Sequence, residues 1–331
     1  MLRSRRLWLG IIVSFIFILM FLLQVDLSSM WDSLKNARYI YLIPAISIYF
    51  ISVFFRTLRW KYLLRPITDE EIGMVKLYRV VVVGYMANNI LPVRLGEFVR
   101  SYYLGRKMNV SATSTLATIV IERVFDGLVL LFFLLITALS IPMSSTFKGL
   151  GDALGVPWLL IPLGLSIPFL IAIGVLFNLA HFSNRINHFF QSAPPQLRER
   201  LVKLASFFIQ GLLILRSPKQ ISRIFLLSLP IWLSEALMYL LVGYSFGLNE
   251  VIPGIVQITS VILLVTAVAN LSIAFPSSPG GIGPFEFFTL TILLLVGVHE
   301  SIASAYALAL HATVLVPVTI LGFIVLWLDN L

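Results

Sequence analysis

The chain has 331 residues, of which 59% are hydrophobic and only 12% charged, with no cysteine and a formal net charge of +9. A soluble domain carries roughly 25% charged residues, so this composition leaves too little polar surface to cover a globule. The absence of cysteine excludes disulfides, thiolate metal sites and cysteine nucleophiles, and the positive charge fits basic loops on one side of a membrane better than a nucleic-acid surface.

Apolar runs of bilayer-spanning length make this an all-α, polytopic helical membrane protein. The runs are continuous rather than alternating, and helices and closed barrels alone satisfy the backbone in lipid. The first run, Leu7 to Leu23, follows Arg3, Arg5 and Arg6 and has no small-residue cleavage site after it. It reads as an uncleaved span with a cytoplasmic N-terminus. A second span covers about 39–55 and ends in RTLRWKYLLR. Arg56, Arg59, Lys61 and Arg65 of that stretch read as its cytoplasmic end.

The stretch that follows, about 73–106, is too broken for a plain span. At 88–97 it reads NNILPVRLGE, two amides, a proline, a glycine and an Arg/Glu pair in otherwise oily sequence. A span at about 115–141 comes next, then a nearly uncharged loop, SSTFKGLGDALG, expected outside, and a span at about 157–180. Residues 181–222 are rich in Lys, Arg and His and read as a cytoplasmic segment with an amphipathic helix lying on the membrane. Spans near 224–247, 252–275, 285–298 and 303–327 complete one domain over 1–331, with about seven or eight spans in all.

The broken stretch near 84–100 has a counterpart at 275–286, FPSSPGGIGPFE. Three prolines and three glycines within ten residues cannot form a continuous helix. Both segments place a proline four residues before a glycine, Pro92 to Gly96 and Pro279 to Gly283, and a glutamate soon after, Glu97 and Glu286. Irregular backbone at membrane depth is tolerated where it is buried in protein or lines a polar cavity. Paired interruptions in the two halves of a chain mark transport sites near the midplane. Amide groups freed at half-helix starts attract anions, and the forked guanidinium of Arg94 or Arg100 suits phosphate. The competing reading of NNILPVRLGE is a cytoplasmic turn.

Glu122, Arg123 and Asp126 lie near the start of a long span, with Glu122 and Asp126 on one face. Ionisable residues at membrane depth are candidates for function, and an ion pair that fixes helix packing is an equal alternative. In the second case the acids hold Arg94 or Arg100 in place. Glu235 has no basic residue within a helical turn, so it faces a wet cavity or is protonated. His311 reads as a hydrogen-bonded packing residue and Asn270 as a polar contact between helices. No GxSxG, Walker or HExxH motif is present, the four histidines lack metal-ligand spacing, and no cofactor is implied.

NNILPVRLGEFVR followed by ATIVIERVFDGLVL, and IAFPSSPGGIGPFE followed by the final span, resemble the transmembrane family of lysylphosphatidylglycerol synthases, the flippase-like membrane proteins. The resemblance implies an integral inner-membrane protein whose best-known relatives move aminoacylated phosphatidylglycerol between leaflets. It assigns Asn89, Pro92, Arg94, Gly96, Glu97 and Arg100 to one motif, and Glu122, Arg123 and Asp126 to the next. Pro279, Gly280, Gly281, Gly283 and Glu286 belong to the last, with Ser278 beside them. The chain ends at Leu331, so a stand-alone member without the aminoacyltransferase domain is expected.

The expected partners are anionic membrane lipids and, second, a lipid-modifying enzyme. The expected site lies among Asn89, Arg94, Glu97, Arg100, Glu122, Arg123, Asp126, Ser278, Gly280, Gly281 and Glu286, shaped by breaks at Pro92, Gly96, Pro279 and Gly283. The alternative function is a membrane-embedded transferase, or an accessory subunit, in glycolipid, polyprenyl-lipid or hopanoid-type lipid synthesis.

Overall fold

A computed structural model describes residues 5–68, 71–91, 95–108, 110–140, 155, 157, 160–181, 194–273 and 278–329. Among these the secondary structure is helical: α1 Arg5–Leu22, α2 Leu27–Lys35, α3 Leu42–Leu64, α4 Met74–Ile90, α5 Gly96–Met108, α6 Ala112–Leu139 and α7 Leu160–His181. The series continues with α8 Pro195–Leu212, α9 Pro218–Ser245, α10 Ile255–Ser272, α11 Pro284–Leu295 and α12 Glu300–Asp329.

Five stretches among the described residues are long and apolar enough to cross a membrane: Tyr39–Leu64, Pro162–His181, Pro218–Ser245, Ile255–Ser272 and Glu300–Leu328. A sixth follows if Gly10–Leu22 is joined to Leu27–Lys35 across an 84° bend. The 28-residue α6 falls outside that set because Glu122, Arg123 and Asp126 sit in every 18-residue window of it. With α6 and the shorter apolar α11, the helices account for the expected polytopic bundle. Of the expected surface segment, α8 is the described helix; the SSTFKGLGDALG loop lies outside the described residues apart from Gly155.

Local chemistry sets several boundaries. Asp26 caps α2, accepting from the amide of Ser28 at 3.0 Å and the hydroxyl of Ser29 at 2.7 Å. Pro195, Pro218 and Pro284 open α8, α9 and α11, where the missing N–H costs nothing. The α4–α5 hairpin is tight because Gly96 lies directly against the carbonyl of Gly84 and the backbone of Asn88, where a side chain would not fit.

Contacts fix which ends share a side of the bundle. The Arg38 amide donates to Ser245 O at 2.8 Å, Arg38 pairs with Glu250 at 3.2 Å, and the Asp26 amide donates to Glu300 at 3.1 Å. The end of α1, the start of α3, the end of α9 and the start of α12 are thus together. The end of α3, the start of α4, the end of α5 and the starts of α6 and α9 lie towards the opposite side.

Depth then follows from helical rise. At 1.5 Å per residue, Asp126 lies ~21 Å along α6 from its start and ~20 Å from its end. Ser14, at the middle of α1, bonds the 278–283 break, and Leu315, at the middle of α12, contacts Gly280. Both the acidic cluster of α6 and the break before α11 are therefore at mid-depth. The hairpin of α4 and α5 reaches the same level: Asn89 near its tip donates to Thr319 at 2.9 Å and to Leu315 O at 3.3 Å.

The candidate functional site

The centre of the bundle holds four arginines and four acids drawn from four helices. From α3 come Arg56 and Arg59, from α5 Glu97 and Arg100, from α6 Glu122, Arg123 and Asp126, and from α9 Glu235. Relative exposures of 0% for Arg59, 1% for Glu122 and 4% for both Arg100 and Asp126 show how little solvent reaches them. Isolated charges there would carry a large desolvation cost, so pairing must offset it.

Asp126 is the hub. Its Oδ1 accepts from Arg59 Nη1 at 2.7 Å and from the Trp232 indole at 3.1 Å. Its Oδ2 faces Arg123 at 3.2 Å and Arg56 at 3.6 Å. Arg59 also donates to Ser228 at 2.8 Å and faces Glu122 at 3.6 Å. Arg100 pairs with Glu122 at 2.7 Å and lies over the Trp60 ring, 3.6 Å from its centroid. Arg56 pairs with Glu235, which also accepts from Ser52 at 3.2 Å. The Arg56 guanidinium sits 4.7 Å from the Trp232 ring centre. Four guanidiniums against four carboxylates leave these eight groups electrically balanced when ionised.

Two sequence expectations change here. The basic residues after Phe55 do not all mark a cytoplasmic end: α3 runs on to Leu64, and Arg56 and Arg59 are buried in the cluster. The i, i+3 spacing, with Ser52 one turn earlier on the same face, is the signal that identifies them. Glu235 is neither exposed to a wet cavity nor left alone, because Arg56 of another helix meets it. Glu122 meets Arg100, one of the two arginines expected for it, whereas the arginines described around Asp126 are Arg56, Arg59 and Arg123 rather than Arg100. Arg94, Pro92 and Ser277 lie outside the described residues.

Among the described residues the cluster has one open edge. Arg123 and Glu97 face each other at 3.6 Å with side chains 34% and 22% exposed, whereas the other members are closed off. This edge lies between α6 and the start of α5, near the tip of the hairpin.

The second interrupted segment builds a separate arrangement. Pro279–Gly281 form a short 3-10 turn, and Gly280, Gly281 and Gly283 hold φ of 73°, 79° and 103°, a region that favours glycine. Glu286 Oε2 accepts from the Gly283 amide at 2.8 Å, closing the first turn of α11. Glu286 Oε1 lies 2.5 Å from His311 Nδ1, and His311 Nε2 lies 3.0 Å from Gly280 O. Ser14 clasps the turn from α1, accepting from the Ser278 amide at 2.7 Å and donating to Ile282 O at 2.8 Å. Phe285 stacks on the His311 ring at 4.2 Å. Nothing in the sequence around Ser14 distinguishes it, because its partners are more than 260 positions away.

The expected site residues thus fall into two groups. Glu97, Arg100, Glu122, Arg123 and Asp126 meet in the charge cluster. Ser278, Pro279, Gly280, Gly281, Gly283 and Glu286 meet at the break, where Asn89 of the first interrupted segment joins them through α12 and Gly280. Asn270 links helices as expected, donating to the Tyr239 hydroxyl at 2.9 Å. Among the described residues no group of three or more His, Asp and Glu side chains is placed to hold a metal.

A polytopic helical bundle with buried ion pairs and broken helices at mid-depth defines a multi-pass integral membrane protein. The chain belongs to the family described as the lysylphosphatidylglycerol synthase TM region, whose pattern matches residues 7–322. It is 23% identical over 292 residues to a UPF0104 membrane protein of Methanothermobacter thermautotrophicus, covering 83% of this chain and 81% of that one. It is 24% identical over 307 residues to a UPF0104 membrane protein of Pyrococcus horikoshii, covering 89% of each. Glycosyltransferase AglD of Haloferax volcanii is 24% identical over 334 residues, covering 95% of this chain and 52% of AglD. No solved structure matches the chain.

Proposed function

We propose that the protein admits the anionic headgroup of a membrane lipid at the open edge of the charge cluster and lets it pass between leaflets. The observation that carries this is the partly exposed Arg123–Glu97 pair at mid-depth, at the rim of a cluster otherwise sealed from solvent. A headgroup phosphate can take the place of Glu97 beside Arg123. The guanidinium then exchanges one anion for another without ever being left unpaired in lipid, which is the costly state. Arg100 and Arg59, fixed by Glu122 and Asp126, extend the positive field behind Arg123. The acids thereby act on the headgroup through the arginines they orient. Asn89 and the 278–286 turn supply the polar floor at the same depth.

No nucleotide-binding motif appears in the sequence, so passage is downhill or ion-coupled. Purified protein in vesicles, tested with labelled phosphatidylglycerol and a polyprenyl phosphate side by side, decides the matter. Accelerated exchange of either lipid between leaflets supports the reading and names the class. Exchange at the rate of empty vesicles, with folded protein, refutes it.

A second reading is favoured by one observation, the match to about half of a protein named a glycosyltransferase. On that reading the site presents a lipid-linked phosphate to a transferase without moving it. Binding of a polyprenyl phosphate without transbilayer exchange is the outcome that selects it.

A further inference from the structure

We propose that Glu286 and His311 form a binding site for one exchangeable proton, and that occupancy of this site latches the 278–283 break against α12. The proposal rests on the reading of the chain as a lipid carrier only for its purpose. The proton site itself stands on geometry.

Gly280 O can only accept, so His311 Nε2, at 3.0 Å, carries a hydrogen and donates it. His311 Nδ1 then faces Glu286 Oε1 at 2.5 Å, a separation that two bare lone pairs do not adopt. A second proton must lie between them, either on the ring as imidazolium against carboxylate or on the carboxyl against a neutral ring. Both forms have the same total charge and the same shape, so the pair binds one proton jointly. Glu286 Oε2 is occupied by the Gly283 amide at 2.8 Å, so the carboxyl cannot turn away without uncapping α11.

Loss of one proton leaves a single ring hydrogen for two acceptors, in a site where His311 is 3% and Glu286 8% exposed. On Nδ1 it keeps Glu286 and leaves Nε2 bare against Gly280 O; on Nε2 it keeps Gly280 O and leaves Nδ1 bare against the carboxylate. The pair then carries an uncompensated negative charge, and one ring lone pair faces an acceptor. Relief comes by rotating the ring, which gives up Gly280 O, or by moving the glutamate, which gives up the Gly283 amide. Either motion releases one of the two backbone bonds that the pair makes to the turn, while Ser14 keeps its bonds to the Ser278 amide and Ile282 O. The glycines with positive φ on both sides of Ile282 are where such a turn rearranges without side-chain strain.

Among the described residues the titratable side chain recorded beside this site from another helix is Tyr239 of α9, which lies edge-on to Phe285 at 6.4 Å and whose hydroxyl accepts from Asn270. The polar side chains described around the turn and Tyr239 on α1, α4 and α10 are the uncharged Ser14, Asn89 and Asn270. No neighbouring charge in that set compensates the deprotonated pair, so the proton is the balancing charge.

The test uses the absence of native cysteine. Ile282→Cys, 42% exposed on the break, is labelled with a maleimide in vesicles between pH 5 and pH 9. Its rate is divided by that of a reference cysteine at Ile40, which removes the ordinary thiolate dependence. In the same pH series, histidine ring nitrogens are followed by NMR in 15N-histidine protein, the His311 signals being assigned by their loss in His311→Gln.

The expected result is a single His311 transition on raising pH and a relative labelling rate that rises at least five-fold with it. In Glu286→Gln, whose amide donates to Nδ1 and cannot lose its proton in this range, both changes are abolished. An invariant His311 spectrum overturns the proton site. A His311 transition with flat relative labelling, or one that persists in Glu286→Gln, overturns the latch or the shared proton respectively. None of these readouts requires lipid movement. A failed vesicle exchange therefore removes the proposed carrier function and leaves the proton site to be judged by its own data.

Discussion

Arg59 of α3 donates to Asp126 of α6 at 2.7 Å across 67 positions of sequence, with Arg59 fully buried. This bond joins a helix whose apolar run stops before Arg56 to one whose charges lie in mid-span. Each helix carries residues that lipid alone would reject. Together they form a neutral core that orders the bundle.

Asp126→Ala leaves Arg56, Arg59 and Arg123 facing one another without their shared acid. Breaking a buried pair from one side costs about 3–5 kcal/mol. A large fall in thermal stability in detergent is expected, with Asp126→Asn less damaging because its carbonyl still accepts from Arg59 and Trp232. Equal stability of Asp126→Ala and the parent in a melting experiment contradicts the hub.

Glu235→Gln separates pairing from protonation. A glutamic acid that is neutral in the folded protein would tolerate the amide almost without effect. Because Arg56 pairs with it, the variant is expected to lose roughly 3 kcal/mol, the lower end for a broken buried pair. Denaturation of the two proteins in matched micelles gives the difference.

Gly96→Ala places a methyl group into the carbonyl of Gly84 and the backbone of Asn88, so the α4–α5 hairpin must open. An overpacking cost on the order of 1–3 kcal/mol is expected. At Gly84 the added carbon meets Arg100 Cβ at 3.0 Å, a smaller overlap than that with the Gly84 carbonyl at Gly96. Gly84→Ala is therefore the milder variant, a ranking that a paired thermal melt checks.

Glu97→Gln and Arg123→Gln address the open edge. Partly exposed pairs contribute about 0–1 kcal/mol, so Glu97→Gln is expected to keep the parent's stability within that margin. Arg123 also faces the buried Asp126 at 3.2 Å, so Arg123→Gln is expected to destabilise the fold more than Glu97→Gln, and exchange is compared at equal amounts of folded protein. If the edge receives the headgroup, Arg123→Gln slows lipid exchange at least ten-fold while Glu97→Gln has the smaller effect. Equal exchange in Arg123→Gln and the parent removes the assigned role.

Much of the architecture was legible in the sequence. The apolar runs gave helices near their observed limits, and the Pro/Gly clusters gave both breaks. Glu122, Arg123 and Asp126 stood out because charge is rare in such a run. Arg56 and Arg59 were misread because hydropathy stops at a charge, whereas the helix does not: RTLRWKYLL is built of residues that a helix accepts. What carries α3 through them is acids on α6 and α9, and no local pattern reveals partners 67 or 179 positions away. Glu235 and His311 looked solitary for the same reason. Ser14 gave no signal, since a lone serine in a span is ordinary until its partners are known.

The most direct measurement is site-resolved capture of an anionic lipid carrying a photoreactive headgroup, in membranes containing the folded protein, with attachment mapped by mass spectrometry. The expected result is attachment near Glu97 and Arg123, displaced by unlabelled phosphatidylglycerol or polyprenyl phosphate and lost in Arg123→Gln. Attachment confined to the helix ends and α8, unchanged in Arg123→Gln, would place the headgroup at the membrane surface and contradict entry at mid-depth.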